Sequence, residues 1–285
     1  MSAALVLGRA RRRVLLCDAG VPRNARAIAM HGYLTRDGIA PPDFRGQARD
    51  ELAAYASVSL RDVEVSRAAP AADGGFEISL ADGRRERGRA LLLATGVVDD
   101  VPKLDGLDEF FGVSVHHCPH CDGWEHRDQP LAAYGCDETA PSYALGLLPW
   151  SRDIVLCTDG RKLSTEERSG LTRHGIGIRE ERVTRLEGRD GKLERIVFES
   201  GAALARAALF FCAGQRQHSV LVEQIGVSLN QKGVVATWGA ERTEVPGLWV
   251  AGDASKDAQL VIVAAAEGAA AAVSIHTWLL RADLA

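Results

Sequence analysis

The chain has 285 residues, 46% hydrophobic and 25% charged, with a net charge of −4; this is long enough for two domains with cores of their own and typical of a soluble globular protein. The mild acidity argues against a nucleic-acid binder, which carries a basic face. Six cysteines with only one closely spaced pair exclude a secreted disulfide framework and fit a reducing cytoplasm with one catalytic couple.

In chain order, residues 1–12 read as a helix whose basic end, Arg9, Arg11, Arg12 and Arg13, suits the helix dipole. Those arginines follow the apolar Ala3-Ala4-Leu5-Val6-Leu7 instead of preceding it, so no signal peptide is expected. Val14-Leu15-Leu16-Cys17-Asp18 is a continuous apolar run ending in an acid, as a buried parallel strand reads. In a dinucleotide-binding βαβ unit such an acid takes ribose hydroxyls, and a glycine-rich phosphate loop lies about 20 residues before it. No such loop precedes Asp18, so the first strand and its GxGxxG turn are expected to be missing. Residues 20–42 are loop-like, and residues 43–55 have helical spacing with Phe44 and Leu52 inward. Residues 58–65 and 76–80 alternate like half-buried strands, with Asp82-Gly83 as a turn. Ala90-Leu91-Leu92-Leu93-Ala94-Thr95-Gly96 is a buried strand ending at a glycine, where a backbone can approach a cofactor closely. Residues 102–112 read as a linker.

The stretch His117-Cys118-Pro119-His120-Cys121-Asp122-Gly123-Trp124-Glu125 follows. Two cysteines separated by two residues can close a disulfide, open to a dithiol or bind a metal. Zinc needs a second ligand pair, and Cys136, Cys157 and Cys212 are isolated. His116, His117 and His120 lie too close to the cysteines to converge on one ion without strain. Redox chemistry is the favoured reading. A thiol beside a helix N-terminus would have its thiolate stabilised, and Pro119 stiffens the loop.

Residues 130–135 read as a strand, Gly135 to Ala140 as its turn and residues 142–148 as its helix; residues 153–160 supply the next strand. This is a second βαβ pattern, but only one glycine of the fingerprint is present, and Asp137 and Glu138 stand where a pyrophosphate would approach and be repelled. Residues 164–174 are helical, residues 183–198 a strand pair around Asp190-Gly191, and residues 208–214, 234–236 and 248–254 strands. Gly252-Asp253 then leads towards an Ala-rich helix over residues 260–280, an arrangement in which backbone N–H groups and a carboxylate face a ligand. Residues 260–275 are interrupted by Glu267, so this helix is expected to be buried and no membrane span is expected.

Four motifs in this order, the acid-terminated strand at Asp18, Ala94-Thr95-Gly96, Cys118-Pro119-His120-Cys121-Asp122-Gly123 and Ala251-Gly252-Asp253-Ala254, resemble the thioredoxin reductase-like flavoproteins of the pyridine nucleotide-disulfide oxidoreductase class. The wording Cys-Pro-His-Cys-Asp-Gly-Trp-Glu is similar to the branch that includes dithiol oxidases. The resemblance implies an α/β fold of two Rossmann-like, doubly wound, three-layer domains. Residues 1–106 and 217–285 would form a discontinuous, N-terminally truncated FAD domain, and residues 107–216 a redox and nicotinamide-binding-like domain. FAD would meet Asp18 at its adenosine ribose, and Thr95, Gly96, Gly252, Asp253 and Gln259 elsewhere; Gly135 would serve NADPH or NADH. Cys121 would face the isoalloxazine and Cys118 the substrate disulfide, with Asp122 the general acid–base and His117 or His120 sharing that role. His116 reads as a loop residue bonded to backbone.

Two activities follow from the resemblance. A nicotinamide reduces flavin, flavin reduces Cys118–Cys121, and the dithiol reduces a thioredoxin-like protein or a small disulfide. In reverse, a small dithiol is oxidised and oxygen takes the electrons. Alternatively the chain is a truncated non-catalytic module. Arg161 and Lys162 fall short of the family's arginine set for a 2′-phosphate, and Ala258 stands before Gln259 where the family has arginine. Without the glycine loop, weak flavin binding is expected. The resemblance also implies a homodimer; the charge, apolar pattern and cysteine spacing read above lead to the expectation of a cytoplasmic protein with no metal, nucleic acid or membrane partner.

Overall fold

Apolar runs in this chain become parallel strands because both faces of each strand are covered, so nothing in the sequence needs to alternate. A computed structural model describes residues 1–285. The chain forms two units: Met1–Ala25, Gly32–Val98 and Gln215–Ala285 make the first, and Arg26–His31 with Asp99–Gly214 the second. Residues 99–106, assigned by sequence to the first domain, therefore lie in the second unit, as do residues 26–31.

In the second unit, five strands form a parallel sheet in the order Gly177–Arg179, Ile154–Cys157, Leu131–Tyr134, Ala208–Phe211, Val115–His116. Side chains alternate between two cores. Ala132, Tyr134, Val155, Cys157, Leu209 and Phe211 face one, where they meet Val183, Leu186, Leu193 and Ile196 of an antiparallel layer. Leu131, Ala133, Ile154, Leu156, Ala208 and Phe210 face the other, against helices Ala140–Gly146 and Thr165–Arg173. This is a three-layer arrangement. Ser164 starts the second helix with a reciprocal capping box to Glu167, satisfying two backbone donors. The expected linker at residues 102–112 is instead part of the core: Leu107–Phe110 is a short helix whose Leu107 and Phe110 are buried.

In the first unit, Val14–Asp18 pairs in parallel with Val58–Asp62, and Leu91–Leu93 with Leu248–Val250. A three-stranded antiparallel meander, Val65–Pro70, Phe76–Leu80 and Arg85–Gly88, turns at Asp82-Gly83, where Gly83 has φ +86°. Residues 234–236 do not form the expected strand; Val235 makes one isolated bridge to Leu229.

Helix Val261–Leu284 is long and apolar enough, by length and composition, to cross a membrane. Here Gly268, Ala271, Ala272, Ile275 and Leu279 lie on its buried side, in a layer with Ala3, Leu7 and Trp249. Gly268 lets the helix Ser2–Arg9 come close: a Cβ there would sit 3.3 Å from the Ala3 nitrogen. The Ser2 hydroxyl donates to the Ala265 carbonyl at 2.6 Å, and Trp249 Nε1 to Ser274 Oγ at 3.1 Å.

Candidate active site

The strand Val115–His116 is at one edge of the five-stranded sheet, and the chain leaves it directly into the cysteine pair. Cys118 precedes a single helical turn, Pro119–Asp122. The Cys118 carbonyl accepts from the backbone N–H of Cys121 (3.1 Å) and of Asp122 (3.2 Å). That turn brings the two Cα atoms to 5.3 Å, within reach of a bond, and Cys118 and Cys121 form a disulfide. Of the three states open to the pair, this structure holds the oxidised one. Gly123 closes the turn under the Trp150 ring; a Cβ there would lie 2.5 Å from the Pro119 carbonyl oxygen and 2.8 Å from the indole.

The histidines divide by environment. His116 is not a loop residue bonded to backbone, as its sequence position suggested, but a buried strand residue. Its Nδ1 lies 3.4 Å from Asp122 Oδ2, and its Nε2 is 2.9 Å from Nε2 of His126. Burial, then the neighbouring His116, lowers the His126 pKa to about 4. His117, expected near the chemistry, has its Nε2 3.9 Å from Asp99, its ring beside Phe111 and Phe211, and its carbonyl bonded by the Tyr143 hydroxyl at 2.9 Å. His120 is exposed and edge-on to Trp150. Asp122 is thus brought together with His116 and His126, not with His117 or His120. His126 had no sequence signal beyond its type.

The first unit contains the residues expected to hold flavin. Ala94-Thr95-Gly96 and Ala251-Gly252-Asp253 leave adjacent parallel strands at the same end, where open α/β sheets bind ligands. Gly96 has φ +69° with open space beside it, and Gly252 has φ +79°. Thr95 Oγ1 is buried without a hydrogen-bond partner, a donor–acceptor group left over by the protein itself. Asp253 accepts from Arg23 Nη1 at 2.8 Å, and the same nitrogen donates to Gln259 Oε1 at 2.5 Å. Arg23, which sequence reading missed, brings a guanidinium to Gln259 where Ala258 offers none. The Glu267 carboxylate accepts from Gly252 N–H at 2.7 Å, which accounts for an acid inside an apolar helix; burial raises its pKa. Asp18 is bound by Arg45 (3.0 Å), Arg49 (3.2 Å) and Gly20 N–H (2.9 Å), and its pKa is lowered: burial opposes, but the Gly20 and arginine bonds outweigh it. An orphaned hydroxyl, two glycines at positive φ and a guanidinium fit the ribityl and phosphate groups of FAD.

The residues at the expected nicotinamide position do not fit a dinucleotide. Asp137 Oδ1 accepts from Thr139 N–H (2.9 Å), Ala140 N–H (3.2 Å) and the Thr139 hydroxyl (2.6 Å). A pyrophosphate would need those same donors at the start of helix Ala140–Gly146. The Thr139 hydroxyl is the main cause that lowers the Asp137 pKa, so the carboxylate is anionic at neutral pH. Asp159, in the ribose-binding position beyond the next strand, accepts from the Tyr134 hydroxyl (2.8 Å) and Val183 N–H (2.9 Å). Gly135 is tight against the turn, its added Cβ 2.9 Å from that of Ala140. The cleft here has a volume of about 480 Å³ and is lined by Cys136, Asp137, Asp159, Asp100, Lys103 and Arg182, among others.

This combination of a three-layer α/β unit and a surface Cys-x-x-Cys disulfide followed by an acid defines a thiol–disulfide redox protein. The pyridine nucleotide-disulphide oxidoreductase family model matches residues 1–268, and the chain belongs to that family. It is similar to "Probable thioredoxin reductase" of Arthroderma benhamiae, 31% identical over 90% of this chain and 72% of that protein. It is also similar to thioredoxin reductase sirT of Leptosphaeria maculans, 27% identical over all of this chain (100%) and 92% of that one. Among solved structures, HlmI superposes with a TM-score of 0.94 at 34% identity, covering 99% of this chain and 90% of that one. The oxidoreductase from Agrobacterium tumefaciens gives 0.90 at 31% identity, covering 98% and 94%. The chain is therefore an oxidoreductase with a thioredoxin reductase-like, Rossmann-type α/β fold, of a flavoprotein family that works through a redox disulfide.

Proposed function

We propose that this protein is an FAD-dependent thiol–disulfide oxidoreductase that oxidises a small dithiol through Cys118–Cys121, with oxygen as final acceptor. The observation that carries the thiol chemistry is the disulfide with Asp122 adjoining Cys121 in the same helical turn. The direction is supported by Asp137, whose carboxylate already occupies the donors a nicotinamide dinucleotide would use. Thr95, Gly96, Gly252, Asp253, Gln259 and Arg23 would hold FAD, with Asp18 at the adenosine ribose. When bound, FAD supplies a two-electron acceptor that also reacts with oxygen.

The chain's own residues do the sulfur and proton work. A substrate thiolate attacks Cys118, the S–S bond breaks, and Cys121 departs with the electron pair. Asp122 gives that sulfur a proton. The second substrate thiol then loses its proton, closes the substrate disulfide and releases Cys118. His117, held beside Asp99, would orient the loop that carries Cys118. The same reading has the enzyme acting as a homodimer in the cytoplasm.

A second reading, NADPH- or NADH-driven reduction of a thioredoxin-like protein, is favoured by relatives named thioredoxin reductase. Oxygen uptake separates the two. Flavin-loaded protein with a small dithiol and no nicotinamide should consume oxygen and form peroxide. Peroxide-free solutions, with turnover only when NAD(P)H and a disulfide are supplied, would establish the second reading instead.

A further inference from the structure

We infer that Gln217 is a further flavin-binding residue: its side-chain oxygen accepts a hydrogen bond from a neutral donor of the bound cofactor, the imide N3–H of the isoalloxazine or a ribityl hydroxyl. The inference rests on the FAD-dependent reading above and deepens it.

The orientation of this amide is fixed by its surroundings. Gln217 Nε2 donates to the Gly233 carbonyl at 2.9 Å and to the Ala254 carbonyl at 3.0 Å. Both partners only accept, so the NH₂ group must face them; turning the amide over would set oxygen against oxygen. Oε1 is left on the other side, buried and without a hydrogen-bond partner. Buried polar atoms are as a rule hydrogen-bonded, so an orphan of this kind points to a group that arrives from outside the chain. The first unit holds two such side-chain atoms, Thr95 Oγ1 and Gln217 Oε1; the others, Arg161 Nη1 and Arg206 Nε, belong to the second unit.

Both orphans of the first unit are at the flavin cradle. Ala254, which accepts from Gln217, directly follows Asp253. The neighbours of Gln217 reach the other flavin motifs. His218 donates its backbone N–H to the Gly96 carbonyl at 3.1 Å, and its Nδ1 lies 3.2 Å from the Thr95 carbonyl. Gln215 Oε1 accepts from Gln259 Nε2. Residues 215–218 therefore touch Thr95-Gly96, Ala254 and Gln259, all within the first unit.

An amide oxygen repels phosphates and the flavin carbonyls, which are acceptors like itself, and suits an N–H or O–H. The neutral donors of FAD are on the ring imide, the ribityl chain and the adenosine. The adenosine is expected at Asp18, which ends a different strand pair. The imide and the ribityl hydroxyls remain. Because Nε2 is already anchored, Oε1 needs no ordering when flavin binds, and the one hydrogen bond should be worth about tenfold in affinity.

The test is a set of binding titrations on the full chain freed of flavin, wild type and Gln217→Met. The probes are FAD, N3-methyl-FAD, FADs lacking single ribityl hydroxyls, and ADP. Flavin fluorescence gives the dissociation constants, and calorimetry that of ADP. Gln217→Met should bind FAD about tenfold more weakly and ADP as tightly as wild type. One flavin analogue should bind wild type about tenfold more weakly than FAD yet lose nothing further in the variant; N3-methyl-FAD in that place identifies the imide as the donor, a deoxyribityl FAD the ribityl chain. Wild type that binds every analogue as tightly as FAD would overturn the inference without any variant. So would a variant deficit equal for FAD and all its analogues, or shared by ADP, since a structural cross-link between Gly233 and Ala254 would act that way. In those cases the FAD reading stands; a wild-type chain that takes up no flavin would remove both.

Discussion

Cys118→Ser and Cys121→Ser are each expected to abolish dithiol oxidation, a loss of at least about 10³-fold, because a hydroxyl neither forms nor leaves a mixed disulfide. The two variants should fail differently. In Cys121→Ser the Cys118 thiol remains, and a substrate disulfide offered to it should stop as a stable mixed disulfide, visible as an added mass of one substrate. In Cys118→Ser the remaining thiol is on the sulfur assigned to the flavin side, so adduct formation should be slower. Both cysteines are only partly buried, Cys118 just before and Cys121 within a single helical turn, so serine should be accommodated without unfolding. Flavin retention should be unchanged, since Thr95, Gly252 and Arg23 all lie in the other unit. Rapid turnover by either serine variant would show that substrate electrons bypass the pair.

Asp122→Asn carries the next largest expected effect, about 10²-fold to 10⁴-fold on the rate at which a dithiol opens the enzyme disulfide. The substitution keeps the size and planar shape of the side chain but cannot take up and release a proton. The amide would stand where the carboxylate now lies, 3.4 Å from His116 Nδ1, without being able to act as an acid. The loss should therefore appear in the saturating rate of disulfide opening and not in dithiol affinity. Stopped-flow thiol release at several dithiol concentrations measures both. A variant with wild-type saturating rate would remove Asp122 from the proton path.

The parts of the fold that could be read from sequence were those in which one residue run decides its own environment. Leu131–Tyr134, Ile154–Cys157 and Ala208–Phe211 are apolar on both sides because helices cover one face of the sheet and an antiparallel layer the other. The cysteine pair was legible because its spacing alone permits the bond. What was not legible depends on residues distant in sequence. His116 meets His126 only because the redox turn doubles back towards the sheet edge, and Arg23 meets Asp253 only across a fold of more than 200 residues. Leu107–Phe110 is too short for a helical period to show, and Val234 and Val235 have strand propensity without a neighbouring strand to pair with. Repulsion of phosphate by Asp137 was foreseeable; that its carboxylate would itself take the backbone donors was visible only in three dimensions.

The most direct test is an anaerobic titration of the flavin-loaded protein, followed in the visible flavin band. A small dithiol should bleach the wild-type flavin and leave that of Cys118→Ser and Cys121→Ser oxidised, while NADPH and NADH leave all three yellow. Bleaching of the wild-type flavin by a nicotinamide but not by a dithiol, or equal bleaching of the serine variants by the dithiol, would contradict the account.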